Sequence, residues 1–133
     1  MFKVVRKEVL NSSVKLLEIE APYVARKAEP GQFVMLRITE SGERIPLTIA
    51  DYDREKGTVT IIFQEVGKTT KLLGQMEAGE YLLDFAGPLG KASHLEGYKK
   101  VAVIGGGLGS AIAYPQAKKL HSMGTEVHLI AGF

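Results

Sequence analysis

Val101-Ala102-Val103-Ile104-Gly105-Gly106-Gly107-Leu108-Gly109 runs from four apolar residues straight into a turn with four glycines in five positions. An apolar run without alternation fits a strand buried on both faces. The glycines tolerate positive φ and let backbone amides come close to a diphosphate. A helix expected from about Ser110 to Met123, Gly124 as its stop and a strand from Glu126 to Ala131 complete one βαβ unit. By itself, such a turn serves tight strand-to-helix packing as well as it serves dinucleotide binding. The second strand runs into Gly132 and Phe133, with no acidic residue there to grip a ribose, so NAD and NADP are not separated. A doubly wound domain needs further strands, and the chain is expected to be truncated relative to a complete enzyme.

Working back from that unit, the pattern changes. Short β-rich runs broken by turn signals cover Phe2 to Val9, Ser13 to Ile19, Gln32 to Ile38, Ile45 to Asp51, Thr58 to Glu65 and Tyr81 to Ala86. Six strands this close together predict a small antiparallel β-barrel or sandwich. Glu29-Pro30-Gly31 suits a turn, Ser41-Gly42-Glu43 a hairpin tip, and Asp53 to Gly57 a polar loop ending in glycine. Leu72, Leu73 and Met76 fall at helical spacing, with Thr69 or Thr70 as cap, so one short helix interrupts the strands. Gly87-Pro88-Leu89-Gly90 closes the barrel and Lys91 to Lys100 reads as a linker. The expected division is therefore residues 1–97 as the barrel domain and 98–133 as the start of an incomplete α/β domain.

Composition narrows the function classes. The 133 residues are 45% hydrophobic and 24% charged, enough to bury a core. The net charge of +2 is spread along the chain, without the basic stripe a nucleic-acid binder needs. No apolar run approaches the roughly 20 residues of a membrane span, and the start lacks a signal-peptide pattern, so a cytoplasmic location is expected. With no cysteine, and His94, His121 and His128 at no recognisable metal spacing, no metal site is assigned.

Two further stretches carry chemistry. In Arg44-Ile45-Pro46-Leu47-Thr48-Ile49, proline stiffens an extended segment, the arginine can hold phosphate oxygens, and the threonine hydroxyl can meet a heteroatom of a bound ring. An arginine beside proline is also an ordinary edge-strand surface residue. In Val66-Gly67-Lys68-Thr69-Thr70-Lys71-Leu72-Leu73, a glycine turn opens the short helix with two hydroxyls at its amino end. That pattern suits an anion, and equally suits a plain threonine cap. The two stretches together weigh toward phosphate.

With RIPLTI, VGKTTKLL, GPLG and GGGLG in this order, nearly the whole chain resembles the ferredoxin-NADP reductase superfamily. Within it, the chain is similar to small electron-transfer subunits that work beside a larger flavoprotein. These are the small subunit of NADH-dependent ferredoxin-NADP oxidoreductase, called sulfide dehydrogenase in older naming, and the dihydroorotate dehydrogenase electron-transfer subunit. Gly107 to Ala111 through Pro115 favours the former.

The resemblance implies a ferredoxin-reductase-like barrel that binds FAD, with Arg44 toward the pyrophosphate and Thr48 near the flavin N5 edge. Ile45, Pro46 and Leu47 would shape that wall, and Ile62, Phe63 and Gln64 would line the flavin from the neighbouring strand. Gly67, Lys68, Thr69 and Thr70 would cradle the pyrophosphate, while Gly105, Gly106, Gly107, Leu108 and Gly109 would face NAD(P)H. Hydride would pass between nicotinamide and flavin, with Thr48 tuning the flavin and not attacking substrate. Electrons would leave through an iron-sulfur cluster toward a larger flavin/iron-sulfur subunit and ferredoxin.

Three departures stand out: Leu47 where many superfamily members place an aromatic, no cysteine-rich segment for a [2Fe-2S] cluster, and no second half of the dinucleotide domain. The cluster would belong only to a longer parent chain. A partner-docking or flavin-holding module without turnover is the reading from another class.

Overall fold

The computed structural model describes residues 1–132. Seven antiparallel strands form one sheet: β1 (Phe2–Val9), β2 (Val14–Glu20), β3 (Phe33–Arg37), β4 (Ile45–Asp53), β5 (Thr58–Gln64), β6 (Tyr81–Leu82) and β7 (Asp84–Leu89). Their order is β6-β1-β2-β5-β4-β3-β7. The two outermost strands, β6 and β7, are therefore consecutive in sequence, and the sheet nearly closes on itself.

The strand number corrects the expected six. Tyr81 to Ala86 was read as one run, but the chain changes partner within it: Tyr81 and Leu82 pair with β1, whereas Asp84 to Leu89 pair with β3. Leu83 sits at the corner, its amide donating to the carbonyls of Arg37 and Ile38 at 3.1 and 3.2 Å. One run of extended residues thus supplies both edges of the barrel. The split shifts the phase of alternation, since the buried Leu82 and Phe85 lie three residues apart in what the sequence reads as one run.

The core is the inward face of these strands. Val4, Leu17, Ile19, Val34, Leu36, Ile49, Val59, Ile61 and Leu82 have no exposed surface, and Phe63 almost none. Spacing by two on β2, β3 and β5 puts these side chains on one face, as alternation requires. Two short helices add to the same cluster: α1 (Pro22–Lys27) with Val24 and Ala25, and α2 (Lys68–Gly74) with Leu73. Helix α1 was not foreseen. It spans six residues, starts after Ala21 with no side-chain cap, and has only Pro22 at its first position to mark it.

Beyond the barrel, β8 (Lys100–Gly106) and β9 (Glu126–Gly132) pair in parallel, joined by a 3-10 turn at Gly107–Gly109 and helix α3 (Ser110–Ser122). Gly124 ends that helix at φ +83°, with its amide on the His121 carbonyl at 3.1 Å. Helix α3 touches β8 and β9 and also the outer face of β4. Its Ala113, Ala117 and Leu120 are buried. Two lysines on α3 reach the barrel, Lys118 to Asp51 at 2.7 Å and Lys119 to Glu29 at 2.9 Å. Among the described residues, no helix is long and apolar enough to cross a membrane.

Candidate functional site

Strand β4 sorts its residues by alternation. Ile45 and Leu47 pack on the core cluster in the direction of buried Ile49, so Pro46 and Thr48 belong to the outer face, which continues to Ala50. Leu47 is therefore partly buried toward the interior. Arg44 precedes the strand with its side chain 58% exposed. Its Nη2 lies 3.4 Å from Asp84 Oδ2, an oxygen that Arg37 already holds at 2.8 Å. The tighter Arg37 pair anchors Asp84, and the long, exposed Arg44 contact leaves that guanidinium able to turn toward another anion.

The start of α2 is organised by Thr70. Its hydroxyl oxygen accepts the amides of Val66 and Gly67 at 3.0 and 2.9 Å and donates to the Gly67 carbonyl at 3.1 Å. Thr70 is thus spent on holding the turn. Gly67 is the cap residue at φ −143°, a conformation open to any residue, and a Cβ placed there would meet nothing within 4 Å. Neither backbone nor packing asks for glycine, so its effect is bare space in front of the Lys68, Thr69 and Thr70 amides. Thr69 donates to Glu43 Oε1 at 2.7 Å. That bond draws the residue before Arg44 onto the first turn of α2, bringing together two stretches that sequence could only place apart.

The outer faces of β4 and β5 lead into a cavity of about 510 Å³. Ala50, Ile62 and Gln64 form its barrel wall, while Gly107, Leu108 and Tyr114 form the wall opposite, with the β1–β2 turn at one end. A chamber of this size with an apolar lining and few polar groups is the usual form of a small-molecule cleft. Ile62 and Gln64 line this cavity. Phe63 does not: it is 1% exposed and points into the barrel core, because β5 turns alternate residues inward.

The glycine turn is also divided. Gly107 and Leu108 face this cavity, whereas Gly105, Gly106 and Gly109 line a separate one of about 480 Å³ with Ile112 and Gln116 of α3. Gly107 has φ +54°, and a Cβ on Gly106, Gly107 or Gly109 would meet nothing within 4 Å. The turn presents open backbone to both cavities.

Placement of this turn depends on α3. Burial tends to raise the Glu29 carboxyl, but the hydrogen bond and charge of Lys119, helped by Arg54, outweigh it and hold the group below the ordinary carboxylate range. Lys118 is raised chiefly by its hydrogen bond to Asp51. Both pairs favour the charged forms and pin α3 to the barrel. Sequence reasoning missed Ala50, Tyr114, Asp84 and Arg37. Ala50 was accessible to it, two residues beyond Thr48 on the same face. The others depend on contacts across 40 or more residues, as in Arg44 to Asp84.

Comparison with known proteins places this architecture. The oxidoreductase FAD-binding domain family matches residues 1–94. A Clostridium beijerinckii protein, "Uncharacterized protein in adh 3'region", is 49% identical over 99% of this chain and 47% of its own length. The dihydroorotate dehydrogenase B (NAD(+)) electron transfer subunit homolog of Thermotoga maritima is 42% identical over 98% of this chain and 46% of its own. A solved chain of the NADH-dependent reduced ferredoxin-NADP oxidoreductase superposes with a TM-score of 0.94 at 40% identity, covering 98% of this chain and 48% of that one. The chain spans about half the length of the relatives it matches.

Proposed function

The chain belongs to the oxidoreductase FAD-binding domain family, and we propose that it holds FAD along the outer face of the barrel as the flavin-binding part of an electron-transfer subunit. The observation that carries this reading is the apolar cavity of about 510 Å³ between β4–β5 and the glycine turn. The residues fit the cofactor. The cavity takes a flat ring between Ile62 and Leu108, and the space at Gly67 admits a diphosphate to backbone amides that no Cβ shields.

In this arrangement Arg44 leaves its long contact with Asp84 for a phosphate oxygen, and Thr69 turns its hydroxyl from Glu43 to the same group, beside the Lys68–Thr70 amides. Thr70 holds the turn. Pro46 stiffens the outer wall, Ile45 and Leu47 back it from the core side, and Thr48 presents its hydroxyl to the ring edge. Gln64 supplies a polar group at the rim, and Leu108 and Tyr114 exclude water from the opposite side. FAD, when bound, would supply exchange between two-electron and one-electron donors and acceptors. Gly105, Gly106 and Gly109 stand ready for a nicotinamide dinucleotide on the second cavity.

Residues 1–97 form the flavin domain in this reading, and 98–133 open a Rossmann-like dinucleotide domain. NAD(P)H serves as electron donor or acceptor, the partner is a larger flavin/iron-sulfur subunit or ferredoxin, and any [2Fe-2S] cluster belongs to a longer parent chain. The 42% identity to the Thermotoga maritima homolog favours a second reading, a dihydroorotate dehydrogenase electron-transfer subunit. A flavin-holding module without turnover stands as the reading from another class.

The test is the absorption spectrum of the purified chain after loading with FAD and removing the excess, repeated with Arg44→Ala. Protein-bound flavin bands that fall away in the variant support the site. A chain that holds no flavin under any loading condition refutes it.

A further inference from the structure

Lys15 of β2 and Glu65, the residue that follows β5, form an ion pair through Nζ and Oε1, with side chains only 12% and 17% exposed. Lys15 stands opposite the buried Phe63 in the β2–β5 ladder, so the pair extends the inward face of those strands. Against it lies Gly74, the last residue of α2, itself buried. A Cβ on Gly74 would meet Glu65 Cγ at 3.0 Å and the carboxylate closer still. Gly74 has no positive φ, so it is the approach of the carboxylate that requires glycine there.

Glu65 thus ties both ends of one segment. Its amide donates to the Ser13 carbonyl at 2.7 Å, holding the chain where it leaves β5, and its side chain rests on the residue where α2 ends. Between these ends run the exposed Val66 and the Gly67–Thr70 turn. Among the described residues, two side-chain bonds join residues 65–74 to the rest of the protein, Lys15–Glu65 and Thr69–Glu43. The second is given up when Thr69 turns to a phosphate, which leaves the Lys15–Glu65 pair. A mostly buried ion pair contributes little net stability, since desolvation offsets the attraction, whereas displacing one partner leaves an uncompensated charge. Such a pair resists displacement more than it stabilises the fold.

We propose that Glu65 is a positioning residue for the cofactor, an inference that rests on the FAD reading. Clamped between Lys15 and Gly74, its side chain sets where the Gly67–Thr70 turn stands relative to β2 and the turn before it, whose Ser13 and Val14 line the ring cavity. The ring and the diphosphate belong to one molecule, so a turn that drifts loses the phosphate while the ring stays seated. Glu65 itself touches no ligand in this arrangement. Its influence passes through the backbone of Val66 and Gly67.

Gly74→Ala tests this, because the added methyl displaces the Glu65 carboxylate while alanine is the better helix former. Titrations with FAD and riboflavin, amide hydrogen exchange of the unliganded chain and a thermal melt are read together. The expected result is FAD binding weakened on the order of tenfold, the size of spoiling one hydrogen bond to a charged oxygen, with riboflavin affinity and melting temperature unchanged. The amides of residues 66–73 should exchange faster, while those of the β2–β5 ladder keep their rates. The double variant Lys15→Met with Glu65→Met, which removes both charges together, should behave in the same way. Undiminished FAD binding in folded Gly74→Ala overturns the proposal and spares the flavin site. An equal loss for FAD and riboflavin, or a fall in melting temperature with faster exchange throughout the ladder, shows a purely structural role and overturns it too. Where the parent chain takes up neither ligand, the flavin reading fails and exchange alone judges the clamp: faster exchange confined to residues 66–73 supports it, and unchanged exchange overturns it.

Discussion

Gly67→Val separates the proposed diphosphate site from the fold. Gly67 sits at φ −143° and ψ −178°, where a β-branched residue is at ease, and a Cβ there meets nothing within 4 Å. Removing glycine restricts the unfolded chain, worth about 0.4–1 kcal/mol of stabilisation. Valine is a poorer cap than glycine, which costs about 1 kcal/mol. The two nearly cancel, so the melting temperature should move by no more than about 4 °C. The valine methyls, however, fill the space before the Lys68, Thr69 and Thr70 amides. Losing one hydrogen bond to a charged oxygen costs about 1.5–3 kcal/mol, and tenfold in affinity corresponds to about 1.4 kcal/mol. FAD should therefore bind about 10- to 100-fold more weakly, while riboflavin, which has no phosphate, binds as before. Fluorescence titration with both ligands, beside a thermal melt, reads each arm. Undiminished FAD affinity in a folded variant would place the diphosphate elsewhere, and a large fall in melting temperature would show that Gly67 serves the fold.

Three other outcomes follow from the packing. Phe63→Ala removes a ring that is 1% exposed and should cost about 3–5 kcal/mol by chemical denaturation; a small stability loss accompanied by lost flavin would return Phe63 to the binding site. Gly31→Ala puts a Cβ 2.4 Å from Ser93 Oγ at a residue with φ +95°, and should destabilise by more than about 1 kcal/mol; an unchanged melt would mean that the segment at Ser93 is not held against the barrel. Glu29 is held below its unfolded value near 4.3, so its contribution is complete above that value and is lost as pH falls through the folded one. Melting temperature measured between about pH 3 and 6 should fall less steeply in Glu29→Gln than in the parent, and identical slopes would refute the role of the Lys119 pair.

Local chemistry was legible in the sequence where it depends on neighbours. Strand β1 at Phe2–Val9 and the stop at Gly124 follow from alternation and from positive φ. The helix start at Gly67–Thr70 could be picked out because a glycine followed by two hydroxyls suits a capped turn, and Thr70 holds that turn. What failed to show was geometry set by distant partners. The corner at Leu83 exists because β6 and β7 meet opposite edges of the sheet, and nothing in Tyr81 to Ala86 encodes which edge each half will find. The resemblance sets Phe63 against the flavin beside Ile62 and Gln64, yet alternation sends it inward. The resemblance sets Thr70 against the pyrophosphate, whereas its hydroxyl oxygen accepts from the Val66 and Gly67 amides. Helix α1 lacked a signal because Ala21 cannot cap it and its hold on the fold is tertiary, through Val24 and Ala25.

The two walls of the ring cavity differ in how firmly they are held. Ile62 and Gln64 belong to a strand paired without a break to β2, and Ala50 sits at a register shift of the β4–β5 ladder between Ile49 and Asp51, with a fully buried core behind both strands. Gly107 and Leu108 are carried by α3, which is tied to the barrel by the Lys118–Asp51 and Lys119–Glu29 pairs. Ion pairs as exposed as these contribute about 0–1 kcal/mol each and weaken with salt. The seam is therefore the soft side of the site. A ligand that touches both walls stabilises the docked arrangement by mass action, in proportion to the logarithm of its concentration over its dissociation constant. In a flavoprotein of this build, the cofactor is then a structural element of the interface as well as its reactive group, and loosening the lysine pairs weakens flavin binding without altering any residue that contacts it.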